Sequence, residues 1–203
     1  SASPHGHTPT LPTGAPTAKI TAPVRSGIYY SDQLITFEGK LADEEDSASE
    51  LAAIWESNEE GELDVDVVPN GSGEIAGVTY LIEGPHFITL TVTDTTDKTG
   101  TDNVTITVGP PNSSPTCAIT APASGAVGPE GELVIFEGAA DDVDVSADWL
   151  MVSWQSDKDG SLGESTPSSD GTITFPYSDL TVNTHVVSMT VADEVGANCT
   201  ADV

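Results

Sequence analysis

Gly84-Pro85-His86-Phe87-Ile88-Thr89-Leu90-Thr91-Val92-Thr93-Asp94 alternates cleanly, with Ile88, Leu90 and Val92 on one side and Thr89, Thr91 and Thr93 on the other. Successive side chains of a strand point to opposite faces, so a period of two marks a strand with one buried face. The same alternation returns at Val104, Ile106 and Val108, interleaved with Thr105 and Thr107. Upstream, Leu51, Ala53 and Trp55 place an inward tryptophan on a third such segment. Pro23, Gly39, Gly61, Gly71, Gly84 and Gly100 punctuate the stretch, and no segment keeps a helical period.

The chain then repeats itself. At an offset of 99, Ile20-Thr21-Ala22-Pro23 aligns with Ile119-Thr120-Ala121-Pro122, and Phe37-Glu38-Gly39 with Phe136-Glu137-Gly138. Trp55 meets Trp154, with Leu150 and Val152 before it, and the pairs Gly61/Gly160, His86/His185 and Asp94/Asp193 hold the same offset. Self-similarity of this kind points to two copies of one unit, with almost no net insertion. The 203 residues accommodate two domains of about 100 residues each. Several short strands per unit indicate a β-sandwich.

Composition narrows the function. Thirty-three Asp and Glu against five Lys and Arg give a formal charge of −28 and a pI near 4.1. Such a charge repels phosphate backbones and anionic lipid surfaces, which argues against nucleic-acid and peripheral-membrane roles. The 37% of hydrophobic residues are enough for modest cores, and no apolar run is long enough for a helical membrane span. No basic-then-apolar leader stands at Ser1, so an export signal is expected to have been removed or left out. No Gly-x-Ser-x-Gly and no glycine-rich phosphate loop after a strand occur, and the chain reads as a non-enzyme. His86 and His185 are repeat-equivalent, which favours a structural role at the start of a strand, with a bond to a nearby carbonyl. His5-Gly6-His7 reads as incidental in a loose tail, and carboxylates are so common here that glycosidase-like pairs arise by accident.

At Gly84–Asp94 the sequence resembles the PKD-domain motif Gly-x-Tyr-x-Val-x-Leu-x-Val-x-Asp, with His86 where Tyr is usual. Trp55 and Trp154 match that family's mid-domain tryptophan, and Ser156-Asp157-Lys158-Asp159-Gly160 stands where its Gly-Asp-Gly turn falls. The resemblance covers residues 18–109 and 117–203. It implies an all-β protein of two tandem Ig-like (PKD-type) β-sandwich domains in a rod, the kind used as spacers or binding modules in secreted and cell-surface proteins. A bacterial Ig-like or cadherin-like sandwich is the neighbouring alternative. Residues 1–17, with Pro4, Pro9, Pro12 and Pro16, read as a Pro/Thr-rich tether, and 110–116 as a Pro-rich linker. The last strand of the second copy begins at Thr200 and reaches only Val203, so it reads as truncated against its counterpart. Two expectations follow: the chain is a piece of a longer tandem array, or a neighbouring copy supplies a strand by β-addition.

Within such a sandwich the first and last strands are neighbours. Cys117 and Cys199 stand at the starts of those strands, their counterparts Ala18 and Gly100 both lack sulfur, and a Cys117–Cys199 disulfide is expected. Closing so long a loop stabilises by roughly 4 kcal/mol in the chain-entropy picture. Four of the six asparagines, Asn70, Asn103, Asn112 and Asn198, sit in Asn-x-Ser/Thr sequons and read as glycosylation sites, Asn198 the least accessible. The acidic loop Asp141–Asp148 and its counterpart Asp43–Asp46 fall at the same end of the sandwich as Asp193 and Asp94. Converging carboxylates repel unless a cation lies between them, and Ca2+ takes 6–8 oxygens in irregular geometry. The expected ligands are Asp142, Asp144, Asp148 and Asp193 in the second copy, and Asp43, Asp46 and Asp94 in the first. Asp157-Lys158-Asp159-Gly160 is not an EF-hand, since Gln155 and Thr166 occupy the first and last ligand positions.

The reading is a non-catalytic extracellular or cell-surface protein: a structural or adhesive stalk, surface-layer component or filament subunit. Its expected partners are copies of itself, further repeats or surface glycans. The alternative is a carbohydrate- or polymer-binding accessory module of a secreted enzyme. That alternative needs exposed aromatics on one face, for which Trp149, Tyr29, Tyr30, Tyr80 and Tyr177 are the candidates.

Overall fold

The computed structural model describes residues 14–203, so His5, His7 and most of the proline-rich tether lie outside the described residues. The described residues form two compact units that meet in sequence between Asn112 and Ser113. Unit 1 contains β1 (Thr17–Ala22), β2 (Ile35–Ala42), β3 (Ala52–Ser57), β4 (Gly61–Glu62), β5 (Glu74–Thr79), β6 (Gly84–Thr93) and β7 (Thr99–Val108). One sheet runs β1-β2-β5 and the other β4-β3-β6-β7, with every named pair antiparallel.

Unit 2 repeats that plan with β8 (Thr116–Ala121), β9 (Val134–Asp141), β10 (Met151–Ser156), β11 (Gly160–Ser165), β12 (Thr172–Tyr177), β13 (Val187–Ala192) and β14 (Asn198–Asp202). Its sheets run β8-β9-β12 and β11-β10-β13-β14. Each unit is therefore a three-on-four Ig-like sandwich. Trp55 pairs with Leu90 and Trp154 with Met189, so the two copies share register as well as order.

Burial follows the alternation. β2 reads buried-exposed over all eight of its residues, and Ile88, Leu90 and Val92 are buried while the intervening threonines are half-exposed. Trp55 lies at the centre of the first core, with the Phe37 ring edge-on at 5.2 Å. Trp154 lies at the centre of the second, stacked on Phe175 at 5.2 Å and flanked by Phe136 at 5.5 Å. Fully burying one such apolar side chain is worth roughly 1.5–3 kcal/mol.

Two glycine pairs explain themselves in this packing. A Cβ on Gly39 would sit 2.8 Å from Leu90 Cδ2, and one on Gly138 2.9 Å from Met189 Sδ. The repeated Phe-Glu-Gly thus leaves a gap on the inner face that the opposite sheet fills. Gly73 and Gly171 adopt φ of 80° and 83°, and their carbonyls accept the amides of Leu41 and Ala140 at 2.7 and 3.0 Å. A Cβ there would lie 2.1 and 2.3 Å from the Leu41 and Ala140 oxygens. From residue 41 to 73 is one step longer than from 140 to 171, so the copies slip to an offset of 98 in this turn before realigning. That slip is invisible in the flanking motifs.

The copies also differ at their margins. β4 has two residues against six in β11, and the chain after Glu62 continues irregularly, with Leu63 and Val65 buried and Leu63 N bonded to Trp55 O. β14 has five residues against ten in β7. β1 begins at Thr17, one residue before the expected boundary. The Pro-rich segment is shared out between the units. Gly109 N bonds Tyr29 O and Asn112 N bonds the Asp32 carboxylate, whereas Ser113 N bonds Asp144 in unit 2.

Candidate functional site

The acidic end of each sandwich is built by the β2–β3 and β6–β7 loops in unit 1, and by the β9–β10 and β13–β14 loops in unit 2. Short loops leave backbone amides without strand partners, and an Asp side chain is the right length to accept them. Asp94 Oδ1 accepts Thr96 N (2.7 Å), Lys98 N (2.9 Å) and the Thr96 hydroxyl (2.9 Å). Asp193 Oδ1 accepts Val195 N (3.0 Å) and Ala197 N (2.8 Å). Both residues are buried. Burial pushes the Asp94 carboxyl up, but the hydrogen bonds from Lys98 and Thr96 and the Lys98 charge outweigh it and hold the group below the usual range.

In the neighbouring loop Asp43 Oδ1 accepts the amides of Glu45 and Asp46, and Asp142 Oδ1 those of Asp144 and Val145. Asp46 binds the amide and hydroxyl of Thr95, tying the two loops of unit 1 together. Glu45 accepts Gly14 N at 3.2 Å, and its counterpart Asp144 accepts Ser113 N at 2.7 Å. The same acidic position thus anchors the lead-in to the first strand of each unit. Asp148 is exposed and bonded to Ser146. The expected calcium ligands are therefore engaged in turn geometry. Among the described residues no three His, Cys, Asp or Glu side chains come together closely enough to hold a metal ion. One pair of atoms stands apart: Asp43 Oδ2 and Asp142 Oδ2 are buried and have no hydrogen-bond partner.

The opposite end contains the histidines. His86 Nε2 lies 2.8 Å from Ile82 O, and His185 Nε2 2.7 Å from Thr181 O. A carbonyl only accepts, so Nε2 donates, and Nδ1 meets the Ser57 or Ser156 hydroxyl at 2.8 Å in each copy. This is the place of the tyrosine corner in Ig-like domains, where a ring at the start of the strand bonds back to the chain just upstream. A ring of turn carboxylates and amides closes the end. Asn58 and Asp157 accept Phe87 N and Val186 N, and Glu60 and Asp159 accept Ile82 N and Thr181 N. The Lys158 side chain above all, then the Val186 amide, hold Asp157 below the usual carboxylate range. The Thr181 hydroxyl and amide do the same for Asp159.

Ser156, His185 and Asp159 are the residue types of a nucleophilic triad, but not its geometry. Ser156 Oγ and Asp159 Oδ2 approach the same ring nitrogen, at 2.8 and 3.6 Å, while the other nitrogen is committed to Thr181 O. A triad needs serine and carboxylate on opposite nitrogens and an exposed nucleophile, whereas Ser156 is 1% exposed. These side chains hold a corner.

The first and last strands of each unit are joined differently. Cys117 and Cys199 form a disulfide with Cα atoms 6.0 Å apart. In unit 1 Asp102, an inward carboxylate on β7, accepts Ile20 N at 2.8 Å from β1. Asp102 has Ala201 as its counterpart, so the repeat carried no signal for it. Ser57/Ser156, Asn58/Asp157 and Glu60/Asp159, by contrast, were readable as polar pairs at the common offset.

Of the four sequon asparagines, Asn70, Asn103 and Asn198 are exposed and Asn112 is half-buried. Asn198 is thus more open than its neighbouring cysteine suggested, because the side chains of β14 alternate and the two residues face opposite ways. Asn70 caps its own turn, accepting Ser72 N and Glu74 N and donating to Glu74. Among the aromatic candidates Tyr30 is buried, Tyr29 bonds Val24 and Tyr177 packs on the second core. Only Tyr80 and Trp149 are exposed, one in each unit.

No protein-family model matches the chain, and no curated protein matches it either. Solved structures do. The fibronectin(III)-like modules of Clostridium thermocellum CbhA superpose with a TM-score of 0.62 at 14% identity, over 92% of this chain and 92% of theirs. A chimeric titin Z1Z2 gives 0.46 at 14% identity over 95% and 97%. A tetra-tandem repeat from the extending region of a large adhesion protein gives 0.36 at 15% identity, over 94% of this chain and 48% of that one. At these identities the likeness to the CbhA modules concerns architecture: the chain has the fold of tandem fibronectin-III-like and Ig-like sandwiches.

Proposed function

We propose that the chain is a non-catalytic spacer of an exported protein, of PKD type within the Ig-like class, in which paired sandwiches carry or separate other parts of a surface or extracellular structure. The observation that carries this reading is the use to which the polar residues are put. Both histidine–serine pairs, the turn carboxylates and the cysteine pair bond the fold to itself. The disulfide supports an oxidising compartment. The acidic exterior supports solubility in a saline medium. Self-association belongs to the same proposal, as do glycans on Asn70, Asn103, Asn112 or Asn198, of which all but Asn112 have exposed side chains. The polymer-binding alternative has weaker support, since only Tyr80 and Trp149 of its candidate aromatics are exposed, one in each unit.

The test uses antibodies against the folded chain and affinity electrophoresis in plant, microbial and animal polysaccharides. Labelling of intact, unpermeabilised cells or their matrix, with mobility unchanged in every gel, is the expected result. Exclusively intracellular labelling contradicts export, and retardation by one polysaccharide favours the accessory-module reading.

Calcium remains part of the proposal on a specific observation. A buried carboxylate oxygen without a partner is costly, and Asp43 Oδ2 and Asp142 Oδ2 repeat that cost at equivalent places. A cation shared with Asp94 or Asp193 and loop carbonyls would satisfy it. Titrating Ca2+ into EDTA-treated protein at low salt is expected to raise the melting temperature. An unchanged melting temperature assigns these oxygens to water instead.

A further inference from the structure

Under tension, load enters an Ig-like sandwich by its first strand and leaves by its last. In unit 2 those strands are covalently joined: Cys117 is the second residue of β8 and Cys199 the second of β14, 82 residues apart. All of β9 to β13 lies within the closed loop. We propose that unit 2 is a covalently closed, inextensible link, and that unit 1 is the extensible element of the pair.

The geometry supports this unit by unit. Tension arriving before Cys117 crosses directly to Cys199, so the strands between them carry none of it. Only the few residues outside the bridge straighten, releasing about 2–3 nm at ~3.5 Å per residue. Unit 1 has Ala18 and Gly100 at the equivalent positions, with no sulfur. There β1 and β7 are linked by Asp102 accepting Ile20 N at 2.8 Å, with Lys98 Nζ donating to Gly14 O at 3.3 Å just ahead of the two strands, and Gly109 beyond β7 bonded to Tyr29 O at 2.8 Å and Ser31 N at 3.1 Å. Hydrogen bonds in shear yield where a covalent bond does not. Once they part, residues 17–108 pay out about 30 nm of chain.

The difference is also redox-dependent. A dithiol such as dithiothreitol supplies two electrons and two protons, leaving Cys117 and Cys199 as thiols while it closes into its own cyclic disulfide. Opening the 82-residue loop then frees a further length of about 28 nm. Both cysteines are half-buried in the fold.

The inference gives the spacer reading a mechanical content, but its test needs only the folded chain. The full chain is stretched between handles at its two ends in a single-molecule force instrument, with and without dithiothreitol. The oxidised chain is expected to give one release of about 30 nm, and the reduced chain two releases of similar length. Two long releases from oxidised protein, or one that stays single after reduction, overturn the proposal. The double variant Cys117→Ala/Cys199→Ala is expected to give two releases without reductant. If it does not fold, the reduced natural chain supplies the same count. Asp102→Ala is expected to lower the force of the release seen in oxidised protein while keeping its length. An effect on the reduction-dependent release alone, or on neither, overturns the assignment of load to this latch. A failed force experiment leaves the surface-labelling result standing, and a failed labelling experiment leaves this one standing.

Discussion

His86 and His185 show how far one side chain is determined by its place. Each bridges a carbonyl four residues upstream and a serine hydroxyl on the neighbouring strand of the same sheet, all within the closed end of a sandwich. Phenylalanine at position 86 fills similar space but leaves Ile82 O and Ser57 Oγ without their partner. His86→Phe is therefore expected to cost about 2–3 kcal/mol, read as a lower urea midpoint for unit 1 with an unchanged slope. The acidic residues predict a pH response with a definite sign. Asp94, Asp157, Asp159 and Asp170 are all held below the usual carboxylate range by hydrogen bonds that the unfolded chain lacks. A carboxyl more acidic in the folded state contributes stability above its unfolded pKa of about 4, and that contribution is lost as pH falls through the lower folded value. The urea midpoint is expected to be insensitive to these groups above about pH 5 and to decline below about pH 4. A midpoint that rises on acidification through that window would contradict the assigned bonds.

At the scale of elements, β3, β6, β7 and β10 were legible because a two-residue period survives in their sequences. The inward tryptophans were legible because a second copy restates them 99 residues on, and the disulfide because both cysteines are present in one copy and both are absent from the other. What the carboxylates do was not legible. With 33 acidic residues, composition cannot say which one meets a turn amide, since that depends on backbone geometry set by the whole sandwich. Asp102 was hidden for the opposite reason, having no counterpart. The joint between first and last strands differs between the copies, and it resists exchange. A Cβ on Gly100 would lie 1.9 Å from Pro16 O, because β1 lies close against β7 there. Introducing Ala18→Cys with Gly100→Cys is therefore expected to destabilise unit 1 by more than 2 kcal/mol even when oxidised. A thiol-quantified melt showing a stabilised, fully bridged unit 1 would contradict that packing.

For the molecule as a whole, duplication with divergence gives two sandwiches of one plan but different closure. Constraining an 82-residue loop stabilises unit 2 by about 4–5 kcal/mol in the chain-entropy picture. Calorimetry is expected to resolve a transition that moves to lower temperature on reduction and another that does not. A common shift of both would mean that the units unfold as one. Each unit is a sandwich with its own core, and residue-resolved amide exchange on the full oxidised chain is the measurement that decides it. The prediction is two separate sets of slowest amides, in β2, β3 and β6 and again in β9, β10 and β13, matching position for position at the repeat offset. One protected block running across residues 109–116, or rapid exchange throughout either set, would contradict it.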